Sequence, residues 1–172
     1  MSHHGFHGGI AMAMLFFSLR EGSSKLDPVT GRILESKYAD AVGEIVRGDA
    51  WGCMDITEPD AGSDMAKLRA KGEQDENGNW FVTGEKIYIT SGHGKYHYVI
   101  ARTEGAESAA GLEGLSMILV PTYEDLADGT RRRIVEVTRV EEKLGHHSSA
   151  TCALLFERAP AELIGERGEG FK

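Results

Sequence analysis

From residue 50 onward the sequence predicts a mainly β protein, an antiparallel β-barrel or sandwich of about seven strands preceded by one or two helices. Three observations carry that expectation. Helical periodicity is confined to the first 48 residues. Beyond them come short runs rich in β-branched and aromatic residues, near-regularly spaced and parted by turn signals. Between two of these runs stands Asn77-Gly78, a strong hairpin signal because both residues tolerate positive φ. That many short strands at such spacing suits an antiparallel barrel or sandwich.

Taken in order, residues 3–9 are glycine-rich and aperiodic and read as a loop. Residues 10–19 are all good helix formers and apolar on nearly every side, so this helix demands burial all round. A turn-rich linker, 21–32, follows. Residues 36–47 place Tyr38, Val42, Ile45 and Val46 at helical spacing, and Gly48 suits a C-cap. The candidate strands are 50–56, 68–74, 80–90, 96–103, 115–121, 133–140 and 151–157. Residues 104–114 and 123–130 read as exposed loops, 165–170 as a further loop, and Phe171-Lys172 as the start of another element.

A chain of 172 residues is long enough for one ordinary domain, or for one domain with a helical appendage. Its 41% hydrophobic and 27% charged residues are an ordinary soluble balance. The net charge of -8 argues against nucleic acid or an anionic membrane as a partner, since a counterion-release binder needs the opposite sign. The longest apolar stretch is about half what a bilayer requires, and its only nearby basic residue, Arg20, lies on the wrong side for a signal peptide. A cytoplasmic chain is expected. Cys53 and Cys152 have no CxxC setting and read as small buried apolar side chains. Seven histidines raise the question of a metal, but neither His3, His4 and His7 nor the pair His93 and His97 has a matching Cys or carboxylate partner, and no metal site is expected.

Two runs about thirty residues apart hold the chemistry. In Thr57-Glu58-Pro59-Asp60-Ala61-Gly62-Ser63-Asp64, Thr57 and Ser63 offer hydroxyls. Gly62 lets backbone approach an anion, and consecutive N–H groups in such a turn form an anion-binding nest. In Lys86-Ile87-Tyr88-Ile89-Thr90-Ser91-Gly92, strand alternation puts Tyr88 and Thr90 on one face and Ile87 and Ile89 on the other. Taken singly, each run also reads as an ordinary turn or a β-rich pair.

Together, in this order, the runs resemble the paired flavin-contacting signatures of the acyl-CoA dehydrogenases. The first is similar to that family's T-E-P-x-A-G-S-D loop, the second to its K-x-W-I-T-N-G strand, with Tyr88 where Trp is usual and Ser91 where Asn is usual. A third run, from Glu141 to Thr151, resembles the family's K-x-G-x-x-x-S-x-T stretch, which makes His146 and His147 turn residues. The resemblance covers roughly residues 36–172. It implies a piece of a longer enzyme: residues 1–48 a remnant of an N-terminal helical domain, 49–163 the middle β-barrel, and 164–172 the truncated start of a C-terminal helical domain.

The resemblance also implies FAD as cofactor, with Ile56, Thr57, Gly62, Ser63, Tyr88, Ile89 and Thr90 as flavin contacts and Ser63 beside the acyl-CoA substrate as well. The parent would dehydrogenate an acyl-CoA thioester at its α,β bond, pass electrons to an electron-transferring flavoprotein and work as a homo-oligomer. Because the family keeps its catalytic carboxylate in the C-terminal domain, no catalytic residue is expected here, Glu58 is structural, and the chain alone is expected to be inactive. An acyl-CoA oxidase of the same architecture, or a non-catalytic β-barrel binding domain, are the alternatives. Asp55, just before the first run, is an unexpected charge beside a flavin.

Overall fold

The computed structural model describes residues 2–105 and 111–171, with side chains from residue 7 onward. Among the described residues it is mainly β, with two α-helices and a mixed sheet of seven strands. In chain order the elements are α1 (Ser2–Arg20), β1 (Ser24–Leu26), β2 (Ile33–Ser36), α2 (Ala39–Arg47), β3 (Gly52–Asp55), β4 (Lys71–Gln74) and β5 (Trp80–Thr90). Then follow β6 (Tyr96–Arg102), β7 (Leu115–Pro121), β8 (Tyr123–Asp125), β9 (Arg131–Arg133), β10 (Val135–Val140) and β11 (Thr151–Ile164). The main sheet runs β10-β11-β5-β4-β6-β3, and β7 pairs with both β6 and β11.

The sheet is not purely antiparallel. β3 lies parallel to β6, with Cys53 opposite His97 and Asp55 opposite Val99, and β4 meets β6 in parallel at Lys71 and Arg102. The reason is the path of the chain: β4 and β5 form their own antiparallel hairpin around Asn77-Gly78, and the strand after it returns alongside β3 in the same direction. Period-2 patterning is identical for both directions, so it could not reveal this.

β6 and β7 are buried on both faces, as near-continuous apolar strands should be. Tyr98, Ile100, Met117 and Leu119 join Ile10, Met14, Tyr38, Val42 and Ile45 of the helical segment in one core. The alternate residues Val99, Ala101, Ile118 and Val120 join Val82, Ile89, Leu154 and Phe156 in a second.

Several elements differ from expectation. α1 begins at Ser2 and takes in the glycine-rich stretch read as a loop. Glycine disfavours a helix by about 1 kcal/mol per residue, but Ile10, Ala11 and Met14 bury on the core and His7 Nδ1 meets the Gly52 backbone, 3.1 Å from its carbonyl oxygen. On the outer side Met12 and Phe16 remain exposed. The linker holds the hairpin β1–β2, and residues 123–130 open a second hairpin, β8–β9, whose strands pair Asp125 with Arg131 and Glu124 with Arg132. Its charged composition hid it. Part of the expected loop 104–114, residues 106–110, lies outside the described residues. No helix among the described residues is long and apolar enough to cross a membrane.

The helical segment is tied to the sheet by polar groups. Glu44 of α2 accepts from Lys95 Nζ at 2.6 Å and from the Tyr96 hydroxyl at 2.8 Å. The Lys95 bond holds the Glu44 carboxyl below its ordinary range despite opposing desolvation. A carboxylate with a depressed folded pKa contributes stability that is fully present above its unfolded value, about 4.3, and lost as pH falls through the folded one. We expect the unfolding midpoint in urea to fall below about pH 4, and Glu44→Gln to flatten that part of the profile. An unchanged profile in the variant would show that Glu44 carries none of it.

Candidate functional site

The two motif runs meet at β5. The Ile87 N–H donates to the Thr57 carbonyl at 2.9 Å, laying the loop after β3 beside the second half of β5. Beneath the join lies Lys86, whose side chain is 0% exposed. Its ammonium donates to the Ile100 carbonyl at 2.7 Å, Glu58 Oε1 at 2.8 Å and the Ile56 carbonyl at 2.9 Å. Three donors therefore meet three acceptors. Glu58 also accepts the backbone N–H groups of Arg69 at 2.7 Å and Ala70 at 3.0 Å, so one carboxylate clamps both ends of the 57–70 excursion. Burial lowers the Lys86 ammonium from its ordinary value, and Glu58 opposes that shift. All these contacts of Glu58 are internal to the fold.

β5 carries a bulge where the chemistry changes sides. Against β11, Thr90 pairs with Thr151 and Ile89 with Cys152, but Lys86 pairs with Leu154, so Ile87 and Tyr88 together oppose Ala153. Tyr88 takes the extra residue's left-handed conformation, φ 58°, a place usually held by glycine. Before the bulge Val82 and Lys86 point inward; after it Ile87 and Ile89 do. Lys86 reaches Glu58 while Tyr88, only two residues on, stands 61% exposed.

The structure brings Ile56, Thr57, Tyr88, Ile89 and Thr90 together along this seam. Thr57 and Thr90 are half-buried, and Ile89 is buried in the core. Gly62 and Ser63 lie apart, exposed just beyond the turn that reciprocal backbone bonds between Glu58 and Ala61 close. His146 and His147 are exposed turn residues.

Asp55 does not face the seam. On β3 it is Met54 that points outward, while Cys53 and Asp55 point inward and are fully buried. Asp55 Oδ2 lies 2.7 Å from His97 Nδ1, and Cys53 Sγ lies 3.1 Å from the same nitrogen. His97 Nε2 is 2.9 Å from the Thr122 hydroxyl. Burial, then Asp55, pushes the Cys53 thiol well up. Sequence reasoning missed this group because it spans β3, β6 and the residue after β7. Only the parallel register of Cys53 on His97 assembles it. His7 sits on Gly52 instead, and the side chains of His3 and His4 lie outside the described residues.

With this geometry in view, comparisons with known proteins are specific. The acyl-CoA dehydrogenase middle domain matches residues 53–159. The broad-specificity linear acyl-CoA dehydrogenase FadE5 of Mycobacterium tuberculosis is 41% identical over 134 residues, covering 70% of this chain and 22% of its own length. The 3-methylmercaptopropionyl-CoA dehydrogenase of Ruegeria pomeroyi is 29% identical over 161 residues, covering 90% of this chain and 27% of its own. Among solved structures, the acyl-CoA dehydrogenase of Geobacillus kaustophilus superposes with a TM-score of 0.66 at 28% identity, over 78% of this chain and 34% of that one. The chain belongs to the acyl-CoA dehydrogenase family, through that family's middle domain. It spans about a quarter of the length of these two curated relatives.

Removing Lys86 leaves Glu58 buried without its cation. Lys86→Met should cost about 3–5 kcal/mol in urea unfolding, and adding Glu58→Gln should recover part of that loss. A Lys86→Met variant as stable as the parent would show that the ion pair does not hold the loop.

Proposed function

We propose that this chain is the flavin-facing middle domain of an FAD-dependent acyl-CoA dehydrogenase, whose whole form dehydrogenates an acyl-CoA thioester at its α,β bond. The observation that carries the reading is the seam at β5, where exposed Tyr88 and half-buried Thr90 share a strand laid against the loop that bears Thr57, over the buried pair Lys86–Glu58.

The residues suit the cofactor. A flavin ring needs a flat apolar neighbour and polar partners at its edge, and its phosphates need backbone or hydroxyl donors. Tyr88 presents the ring face, and Thr90, two residues along the same strand, a hydroxyl. The carbonyls of Ile56 and Thr57 are already engaged by Lys86 and Ile87, which directs the contact at Thr57 to its hydroxyl. Ile89 anchors this stretch of β5 in the core, and Gly62 and Ser63 present an exposed backbone suited to an anion and to the acyl-CoA. When bound, FAD supplies the hydride acceptor that none of these side chains can be.

None of the seam's side chains suits removal of the α-proton. Glu58 is occupied by Lys86 and two backbone N–H groups. A base in a further domain of the parent would complete the site, and electron transfer to an electron-transferring flavoprotein and assembly into a homo-oligomer belong to that whole. We further read residues 1–48 as part of a helical domain and 49–163 as the middle domain. The round of pairings through β11, β5, β4, β6 and β7 supports a small barrel.

The test is an absorbance spectrum of the full-length parent after incubation with FAD and desalting. The parent should keep a flavin band, and Thr90→Val with Ser63→Ala should weaken FAD binding by about tenfold or more, the equivalent of one or two lost hydrogen bonds. A parent that folds yet never holds flavin would defeat the reading. The isolated 172-residue chain should not oxidise an acyl-CoA, and enzyme-dependent turnover by it would overturn the absence of a base.

A further inference from the structure

We propose that His97, held between Asp55 and Thr122, is a positioning residue that couples the loop after β3 to the loop after β5, so that Thr57 and Thr90 are carried on one unit. The proposal rests on the flavin reading for its consequence, but not for its geometry.

The coupling is a chain of hydrogen bonds with a defined direction. The Thr122 hydroxyl donates its single proton to the Gly94 carbonyl. It therefore accepts from His97, which assigns a proton to Nε2 at 2.9 Å. Nδ1 is then turned on Asp55 Oδ2, 2.7 Å away and within hydrogen-bond distance. Gly94 lies in the loop that follows Thr90, and Asp55 lies two residues before Thr57. His97, Asp55 and Thr122 are all buried, so water does not compete for these bonds. The far end is held as firmly. The Gly94 N–H donates to the Ser91 carbonyl at 2.8 Å, and its backbone presses on Trp51 so closely that a side chain's Cβ would sit 2.8 Å from the Trp51 carbonyl oxygen.

Lys86 ties the Thr57 loop to the middle of β5; the His97 chain ties the strand before that loop to the loop beyond β5. The His97 chain thereby adds a tie at the far end of the seam to those that Lys86 and the Ile87 N–H make at its centre.

Cys53, Asp55 and His97 are also residue types that hold metals, and one carboxylate oxygen, Asp55 Oδ1, is buried with no hydrogen-bond partner among the described residues. The Nδ1–Oδ2 spacing fits a hydrogen bond: two such ligands about 2.0–2.1 Å from a tetrahedral zinc stand about 3.3 Å apart, whereas these atoms are 2.7 Å apart.

The test uses the whole chain, with Thr122→Val to cut the bonds to His97 and Gly94 while keeping the side chain's shape, and Thr122→Ser to restore the hydroxyl. Amide hydrogen exchange is read first. In Thr122→Val the Gly94 amide should exchange about tenfold faster, the β6–β7 ladder should keep its rates, and Thr122→Ser should return both to the parent pattern. FAD affinity, measured by titration in the same three proteins or in the full-length parent, should fall and recover in step.

Parent-like exchange at Gly94 in Thr122→Val overturns the coupling. Equal loss across the ladder reduces Thr122 to a general stabiliser and overturns it too, as does one bound metal ion per chain. If no protein or parent takes up flavin, the functional reading fails, and the exchange pattern still decides the coupling.

Discussion

A buried ion pair, Lys86 with Glu58, organises the rest of this chain. Burying either charge alone carries a penalty of several kcal/mol, and it is met here by complete satisfaction: every Lys86 proton has an acceptor, and Glu58 gathers two further N–H donors. Two apolar side chains could fill the same space, but they could not fix the carbonyls of Ile56 and Ile100 and the amides of Arg69 and Ala70 about one point. What the pair contributes is orientation. It gives the 57–70 excursion a defined position against β5.

That role explains the bulge. On a regular strand Lys86, Tyr88 and Thr90 would share one face, and a buried lysine would drag the aromatic ring inward with it. The extra residue reverses the alternation between them. A left-handed tyrosine carries strain of order 1–3 kcal/mol, which the register holds in place, with Lys86 anchored on one side and Ile89 paired with Cys152 on the other. This strain sits where the two motif runs meet, at an exposed aromatic ring.

The helical segment has a different relation to the sheet. It shares a core with one face of β6 and β7, while the other face belongs to the sheet's own interior. Both strands under the seam are therefore buried on two sides, and the parallel pair β3–β6 carries its buried polar group in a place with no solvent. Asp55, which from sequence alone read as a charge beside a flavin, turns inward on His97 instead.

What the sequence determined by itself was local. The bounds of β5 and β7, the hairpin at Asn77-Gly78, the helix stop at Gly48 with φ 80°, and the two motif runs were all legible, because alternation, turn chemistry and capping act over a few residues. The hairpins β1–β2 and β8–β9 were not, since polar strands lack an apolar period, and the start of α1 was not, since burial of Ile10 and Met14 outweighed its glycines. Only the tertiary structure decided that β3 runs parallel to β6, that Tyr88 occupies a bulge, and that Cys53, Asp55, His97 and Thr122 meet. Each depends on where residues 56–95 travel before returning, and a period of two is blind to direction, to partner and to a single inserted residue on the facing strand.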